Sequence, residues 1–417
     1  MSKPTPLGLK KSFGFGDRLG LATPGHLAAA MKFDFAPIFA QQSIREMTRT
    51  QRTPEEVMRA AQTVLDQAGF QKPWGADADH LKIPEDVQFT AAAGFCFFTI
   101  DPSGFVCNQA DTMSARELEV SLATMEQDGV FPDPDWCSFY LKGPFEIGAK
   151  LKLKITREAL LRAAVKYGRA IAHSAEMAQH IAKKNARRPY EIEISVDETD
   201  SPTSPEEHLF YGMELRRRKV PNVVSLAPRF IGDFEKGIDY RGDLRAFEKA
   251  LALHVAIARF CGPYKISVHS GSDKFSAYPI VGRLCGDLLH VKTAGTSYLE
   301  ALRVVARMAP TLFAEIAAYS RVRFDTDRKS YHISTTPAEI ASLPAFGGRA
   351  DEAAYLDDRV GRQLLHVTFG SVLTIGAGRN GRPFKEAILE VLDRHAGLHC
   401  EFLELHFIRH LSLLNKG

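Results

Sequence analysis

At 417 residues, with 45% hydrophobic and 25% charged side chains, the chain has room for one large α/β domain with embellishments, or for two domains. A net charge of +3 is too small for nucleic acid to be the main partner, and no apolar run reaches the length of a membrane helix. The six cysteines form no C-x-x-C pair and no apolar leader opens the chain, so reduced thiols and a cytoplasmic location are expected.

The elements then follow in order. Lys11-Ser-Phe-Gly-Phe-Gly-Asp-Arg18 alternates aromatics with glycines and reads as a strand; its Gly14-Phe-Gly16 lacks the third glycine and the βαβ context of a dinucleotide loop. Thr23-Pro-Gly-His26 opens a short helix, and Phe35–Gln41 forms a second strand. Thr53-Pro-Glu-Glu56 has the residues to cap a helix running to Ala68. Trp74–Lys82 is a strand loaded with acids at its end, and Gly94–Asp101 is a buried strand ending in aspartate.

Residues 102–188 interrupt this rhythm with helices expected at 115–127 and 156–186, too much for an ordinary βα connection. The stretch reads as a helical insertion or lid. Regularity returns with strand Tyr190–Glu198, whose Ile192, Ile194 and Val196 should face covering helices. Ser204-Pro-Glu-Glu207 starts a helix, followed by strand Val223–Arg229, helix 243–260 and strand Tyr264–His269. Ser270-Gly271-Ser272 is a small-residue loop leading to a helix near Lys274. Strand Leu288–Gly295 and a helix Ser297–Ala318, capped by Ser297, complete the series.

Eight strands separated by helices predict a (β/α)8 TIM-type barrel over 1–320, interrupted by 102–188. A further apolar run, Leu364-Leu-His-Val-Thr-Phe369, reads as a ninth strand and makes 321–417 an α/β extension packed on the barrel. His395, His399, His406 and His410 read as surface histidines of a C-terminal helix.

Chemistry in such a barrel collects at the C-terminal strand ends. Here these supply Asp77, Asp79, His80, Asp101, Asp197, Glu198, Arg229, His269 and Lys292. Two histidines with carboxylates suit a divalent cation such as zinc, manganese or nickel. The Gly271 and Thr293–Ser297 loops offer backbone N–H groups to an anion, with Ser270, Arg229 and Lys274 beside them. Lys292 is placed as the Schiff-base lysine of some aldolases is, which is the competing chemistry. The bland alternative is acid–base pairing as a stabilising network in the mouth of a non-catalytic barrel. A homo-oligomer is compatible with any of these.

The strings Phe13–His26, Gly75-Ala-Asp-Ala-Asp-His-Leu-Lys82, Ser195–His208, Ser225-Leu-Ala-Pro-Arg-Phe230, Ser267-Val-His-Ser-Gly-Ser-Asp-Lys-Phe275 and Lys292-Thr-Ala-Gly-Thr-Ser-Tyr298 resemble the tagaturonate epimerase family over about 11–305. The resemblance implies metal-dependent interconversion of D-tagaturonate and D-fructuronate in hexuronate catabolism, or action on the related neutral ketoses tagatose and fructose. The inverted carbon lies β to the ketone, where simple deprotonation is not favoured, so a retro-aldol route is expected.

Gly75-Ala-Asp-Ala-Asp79-His80 further resembles the strand-end Asp-His pair of class II aldolases. By that analogy Asp79 is the base, with His80 and His269 as metal ligands. Glu193, inward-facing by alternation, is the second acid/base. Those aldolases use a third histidine between these positions; here none stands at a strand end from His208 to His254, and Glu235 is the expected substitute, with Asp233 or Asp197 behind it. Asp197, Arg229, Ser270, Lys274 and Lys292 are then the substrate-binding set.

Overall fold

Short runs of alternating and aromatic residues form strands where their inner faces meet around a common axis. The computed structural model describes residues 2–149 and 151–416. Its strands are β1 (Ser12–Gly16), β2 (Ala36–Ser43), β3 (Gly75–Leu81), β4 (Phe97–Ile100), β5 (Phe145–Gly148), β6 (Leu151–Leu153), β7 (Glu191–Val196), β8 (Val223–Pro228), β9 (Lys265–Val268) and β10 (Leu289–Lys292). Eight of them close a parallel barrel in the order β1-β10-β9-β8-β7-β4-β3-β2, while β5 and β6 pair antiparallel outside it. The eight barrel strands are the eight expected from the sequence.

Helix starts follow local chemistry. Capping boxes at Thr53/Glu56, Ser114/Glu117 and Ser204/Glu207 satisfy otherwise orphaned backbone N–H groups. Ile192, Ile194 and Val196 of β7 are buried beneath the helix layer, and Glu191 and Glu193 turn inward. Between β4 and β7 lie helices Ala115–Gln127 and Trp136–Leu141, the β5/β6 hairpin and the long helix Arg157–Lys184. That long helix packs between helices Pro84–Ala92 and Pro205–Arg217 in the outer ring.

The C-terminal part is helical rather than α/β. Leu364–Phe369 lies inside helix Arg359–Thr374, where every residue from Gly361 to Phe369 is buried. An apolar run this short cannot be told from a buried strand by periodicity alone, and its β-branched and aromatic residues favour the strand reading. The expected helix Ser297–Ala318 is two, Thr296–Met308 and Pro310–Asp327, because Pro310 has no N–H with which to continue the first. Ser297 is not a cap; its hydroxyl meets His26 Nε2 at 2.8 Å.

The C-terminal histidines are not a surface set either. His399 and His410 are buried in helix Ala396–Leu414, which packs on helices Thr23–Ala30 and Tyr278–Cys285. His410 Nε2 accepts the Asp273 backbone N–H at 3.0 Å, and its Nδ1 faces the His406 carbonyl at 2.9 Å. These contacts latch the last helix to the loop after β9. That loop is longer than expected: its helix begins at Tyr278, not near Lys274.

Candidate active site

Two left-handed residues build the mouth of the barrel. Alternation along β3 turns Asp77 and Asp79 inward and would turn His80 away. His80 instead has φ 56°, at a register shift between Ala78 and Leu81, so the bulge brings both Asp79 and His80 to the mouth. On β9, His269 follows the last strand residue, and Ser270 at φ 48° turns the chain sharply. Backbone strain of this kind in non-glycine residues gathers at functional sites.

The result is a cluster in which Asp79, His80 and His269 each present a ligand atom, all within 4.8 Å of one another. The two imidazole rings lie edge to face, 5.1 Å between centroids. His80 Nδ1 meets Asp101 Oδ2 at 3.1 Å, and its Nε2 lies 3.8 Å from Asp79 Oδ1. His269 Nε2 is 2.6 Å from Glu193 Oε1, and its Nδ1 is 3.2 Å from Asp197 Oδ1. Beneath them the Lys292 ammonium reaches Asp77 at 2.7 Å and both Asp79 and Glu193 at 2.8 Å, and donates to Thr99 Oγ1 at 2.5 Å.

The electrostatics follow from this crowding. Burial disfavours imidazolium, yet Asp197 and Glu193 hold His269 up at about 10, and Asp79 and Asp101 hold His80 up at about 9. Burial opposes ionisation of Asp79, but His80, Lys292 and His269 keep its carboxyl down at about 2. Asp77 goes the other way, pushed up to about 7 chiefly by burial. Lys292 is raised despite burial, because three carboxylates stabilise its charge.

A cavity of about 600 Å³ opens over this floor. Of the residues expected here, Asp79, His80, Asp197, Arg229, His269, Ser270 and Lys292 line it, and Glu193 lies just beneath, bonded to His269. Glu235 is placed elsewhere. Its Oε1 accepts from Arg241 at 3.1 Å, and its Oε2 accepts from the Ser334 N–H at 2.7 Å and Gln363 Nε2 at 2.7 Å. That carboxylate ties the loop after β8 to the C-terminal helices, and among the described residues it joins no cluster with the two histidines.

Lys274 is also turned from the cavity. Its buried ammonium donates to the carbonyls of Glu235, Ile238 and Ser272 at 2.6–2.8 Å. Two of the loop N–H groups expected to bind an anion are spent as well, Gly271 on the Lys292 carbonyl at 2.9 Å and Thr293 on that of Gly14 at 3.0 Å.

Several residues of the site had no assigned part in the sequence reading. Asp101 orients His80, and Thr99 links Lys292 to Asp77. Arg45 and Lys236 join the wall, as do Tyr331 and His332 from the C-terminal extension. The inward alternation of β4 offered a signal for Thr99 and Asp101; nothing local offered one for residues 331 and 332.

Comparison with known proteins places the whole chain in one family. The sequence profile of the tagaturonate epimerase family (UxaE) matches residues 1–414. A tagaturonate/fructuronate epimerase of Thermotoga maritima is 42% identical over 414 residues, covering 99% of this chain and 82% of that protein. The native crystal structure of the fructuronate-tagaturonate epimerase UxaE from Cohnella laeviribosi superimposes with a TM-score of 0.88 at 35% identity, over 99% of this chain and 83% of that one. A complex of the same protein with one glycerol gives 0.89 at the same identity and coverage.

Proposed function

The chain belongs to the tagaturonate epimerase family and is an isomerase, and from that premise we propose that it interconverts D-tagaturonate and D-fructuronate by metal-dependent retro-aldol and aldol steps. The observation that carries the metal reading is the convergence of Asp79, His80 and His269 within 4.8 Å. Two imidazoles and a carboxylate suit zinc, manganese or nickel. The carboxylates fit too: Asp79 and Asp101 flank His80, and Glu193 and Asp197 flank His269, so a cation held by the two rings in place of their protons would face the same acids. Asp101 on His80 Nδ1 is the partner that fixes ring orientation in carboxylate–histidine–metal arrangements.

His80 and His269 would hold the cation, with Asp79 in reach as a further donor. Bound there, it would supply Lewis-acid charge beside the substrate ketone. Asp79 Oδ1 is occupied by Lys292, while among the described residues nothing donates to Oδ2. Oδ2 therefore takes the proton from the hydroxyl of the inverted carbon. The bond between that carbon and its neighbour next to the ketone breaks. Its electron pair stays on the ketone fragment as an enediolate, and the other fragment becomes an aldehyde.

The aldehyde turns, the bond re-forms at its opposite face, and Asp79 returns the proton to the new alkoxide. Glu193, whose Oε2 is buried without a hydrogen-bond partner among the described residues, is the second acid/base. Lys292, charged and clamped by three carboxylates, supports the anions of the site; this environment speaks for an electrostatic part rather than a Schiff base.

The test is to incubate chelated and metal-restored protein with tagaturonate in deuterated water and follow fructuronate by NMR. Turnover should vanish on chelation and return with metal, without deuterium at the inverted carbon. Full activity after chelation would sink the metal reading, and stoichiometric deuterium there would sink the retro-aldol route.

A further inference from the structure

A uronate brings a carboxylate into a mouth already crowded with acids, so a cation not spent on those acids must receive it. Arg45 is engaged by Glu198 at 3.0 Å, and Lys292 by its three carboxylates. Arg229 is also clear of those acids, but its guanidinium is tied to backbone, donating to the Thr199 carbonyl of the loop after β7. Lys236 lines the same cavity, and among the described residues its recorded partner is a neutral hydroxyl, Ser270 Oγ, at 2.7 Å. Ser270 directly follows His269, and its left-handed backbone places that hydroxyl at the cavity wall.

We infer that Lys236, aimed by Ser270, is the carboxylate anchor that sets preference for sugar acids over neutral ketoses. This rests on the epimerase reading above and names a specificity residue for that same site.

The backbone around Lys236 is held on both sides. The Lys274 ammonium grips the carbonyls of Glu235 and Ile238, and the Glu235 side chain is fixed by Arg241, Ser334 and Gln363. An anchor whose backbone is ordered in advance loses little entropy when it engages an anion. The chemistry gives the anchor a second task. Cleavage next to the inverted carbon leaves the carboxylate on the aldehyde fragment, which must turn over without escaping. An ammonium fixed on that carboxylate keeps the fragment in place while its aldehyde end rotates. Glycerate, the reduced form of that fragment, is therefore the probe.

Binding of glycerate to the metal-loaded full chain is measured for the native protein, Lys236→Met, Lys236→Gln and Lys236→Arg, alongside kcat and KM for tagaturonate and tagatose. Loss of a charge-assisted contact should weaken glycerate binding about 10- to 100-fold in the Met and Gln variants. The tagaturonate-to-tagatose ratio of kcat/KM should fall similarly, mainly through KM for the acid. Lys236→Arg should recover most of both effects.

Glycerate that fails to bind the native protein, or binds the Met and Gln variants within twofold of it, overturns the anchor. So does an equal loss of both sugars, which would mark a merely structural residue. Native protein that binds glycerate through Lys236 but does not epimerise tagaturonate would overturn the epimerase reading alone.

Discussion

Replacing Lys292 with methionine tests the electrostatic floor of the site. The ammonium lies 2.7–2.8 Å from Asp77, Asp79 and Glu193, and all four side chains are largely buried. Methionine keeps much of the volume and removes the charge, leaving three carboxylates facing one another. Removing one partner of a buried ion cluster costs about 3–5 kcal/mol, because the remaining charges stay desolvated and unpaired. The carboxylates respond by taking up protons, so their pKa values rise in the folded variant.

A carboxyl with a raised folded pKa contributes stability that is fully present below its unfolded value and lost as pH rises through the folded value. The deficit of Lys292→Met relative to the native chain should therefore be small at pH 5 and reach its full size by pH 8. Urea unfolding of the metal-free proteins at both pH values measures it. A deficit below about 1 kcal/mol at pH 8, or one independent of pH, would refute the argument, since an ordinary surface lysine costs no more than this. Borohydride added during turnover by the native protein should leave Lys292 unmodified; a trapped adduct would restore the Schiff base.

Three further outcomes are expected. Glu235→Ala should leave metal stoichiometry unchanged by elemental analysis and lower stability by about 2 kcal/mol in urea, because it strands the buried Gln363 amide and the Ser334 N–H; loss of the metal would return Glu235 to the ligand set. Asp101→Asn should weaken zinc binding about 10- to 100-fold by competition with a chelator, because the imidazole of His80 loses its orienting carboxylate; unchanged affinity would count against His80 as a ligand. Burial lowers His26 to about 3 and His254 to about 4, so between those values and 6.5 the unfolded chain binds protons that the folded chain refuses. Stability should then fall by up to about 1.4 kcal/mol per pH unit for each histidine as the solution is acidified below 6.5, and His26→Gln should shallow that slope in pH-dependent urea titrations.

The sequence by itself determined the barrel and half of its mouth. Short strands with one apolar face, spaced by capped helices, admit few architectures, and all eight barrel strands were legible because alternation and capping are local properties. Asp79, His80 and His269 were legible for the same reason, each standing at a strand end where parallel barrels present their chemistry.

What only the tertiary structure decided depends on contacts between distant segments. Glu235 carries no mark in the sequence that it serves Ser334 and Gln363 rather than a metal, and the run Leu364–Phe369 is too short for periodicity to tell a buried helix from a strand. His410 has the sequence context of a surface residue, and only packing brings the Asp273 N–H onto its ring. Lys274 was the expected cation, and Lys236 was not singled out because nothing in residue type separates the two. Folding turned the first onto three carbonyls and left the second facing the cavity with a neutral hydroxyl as its recorded partner, because burial and partnership are assigned by packing rather than by spacing.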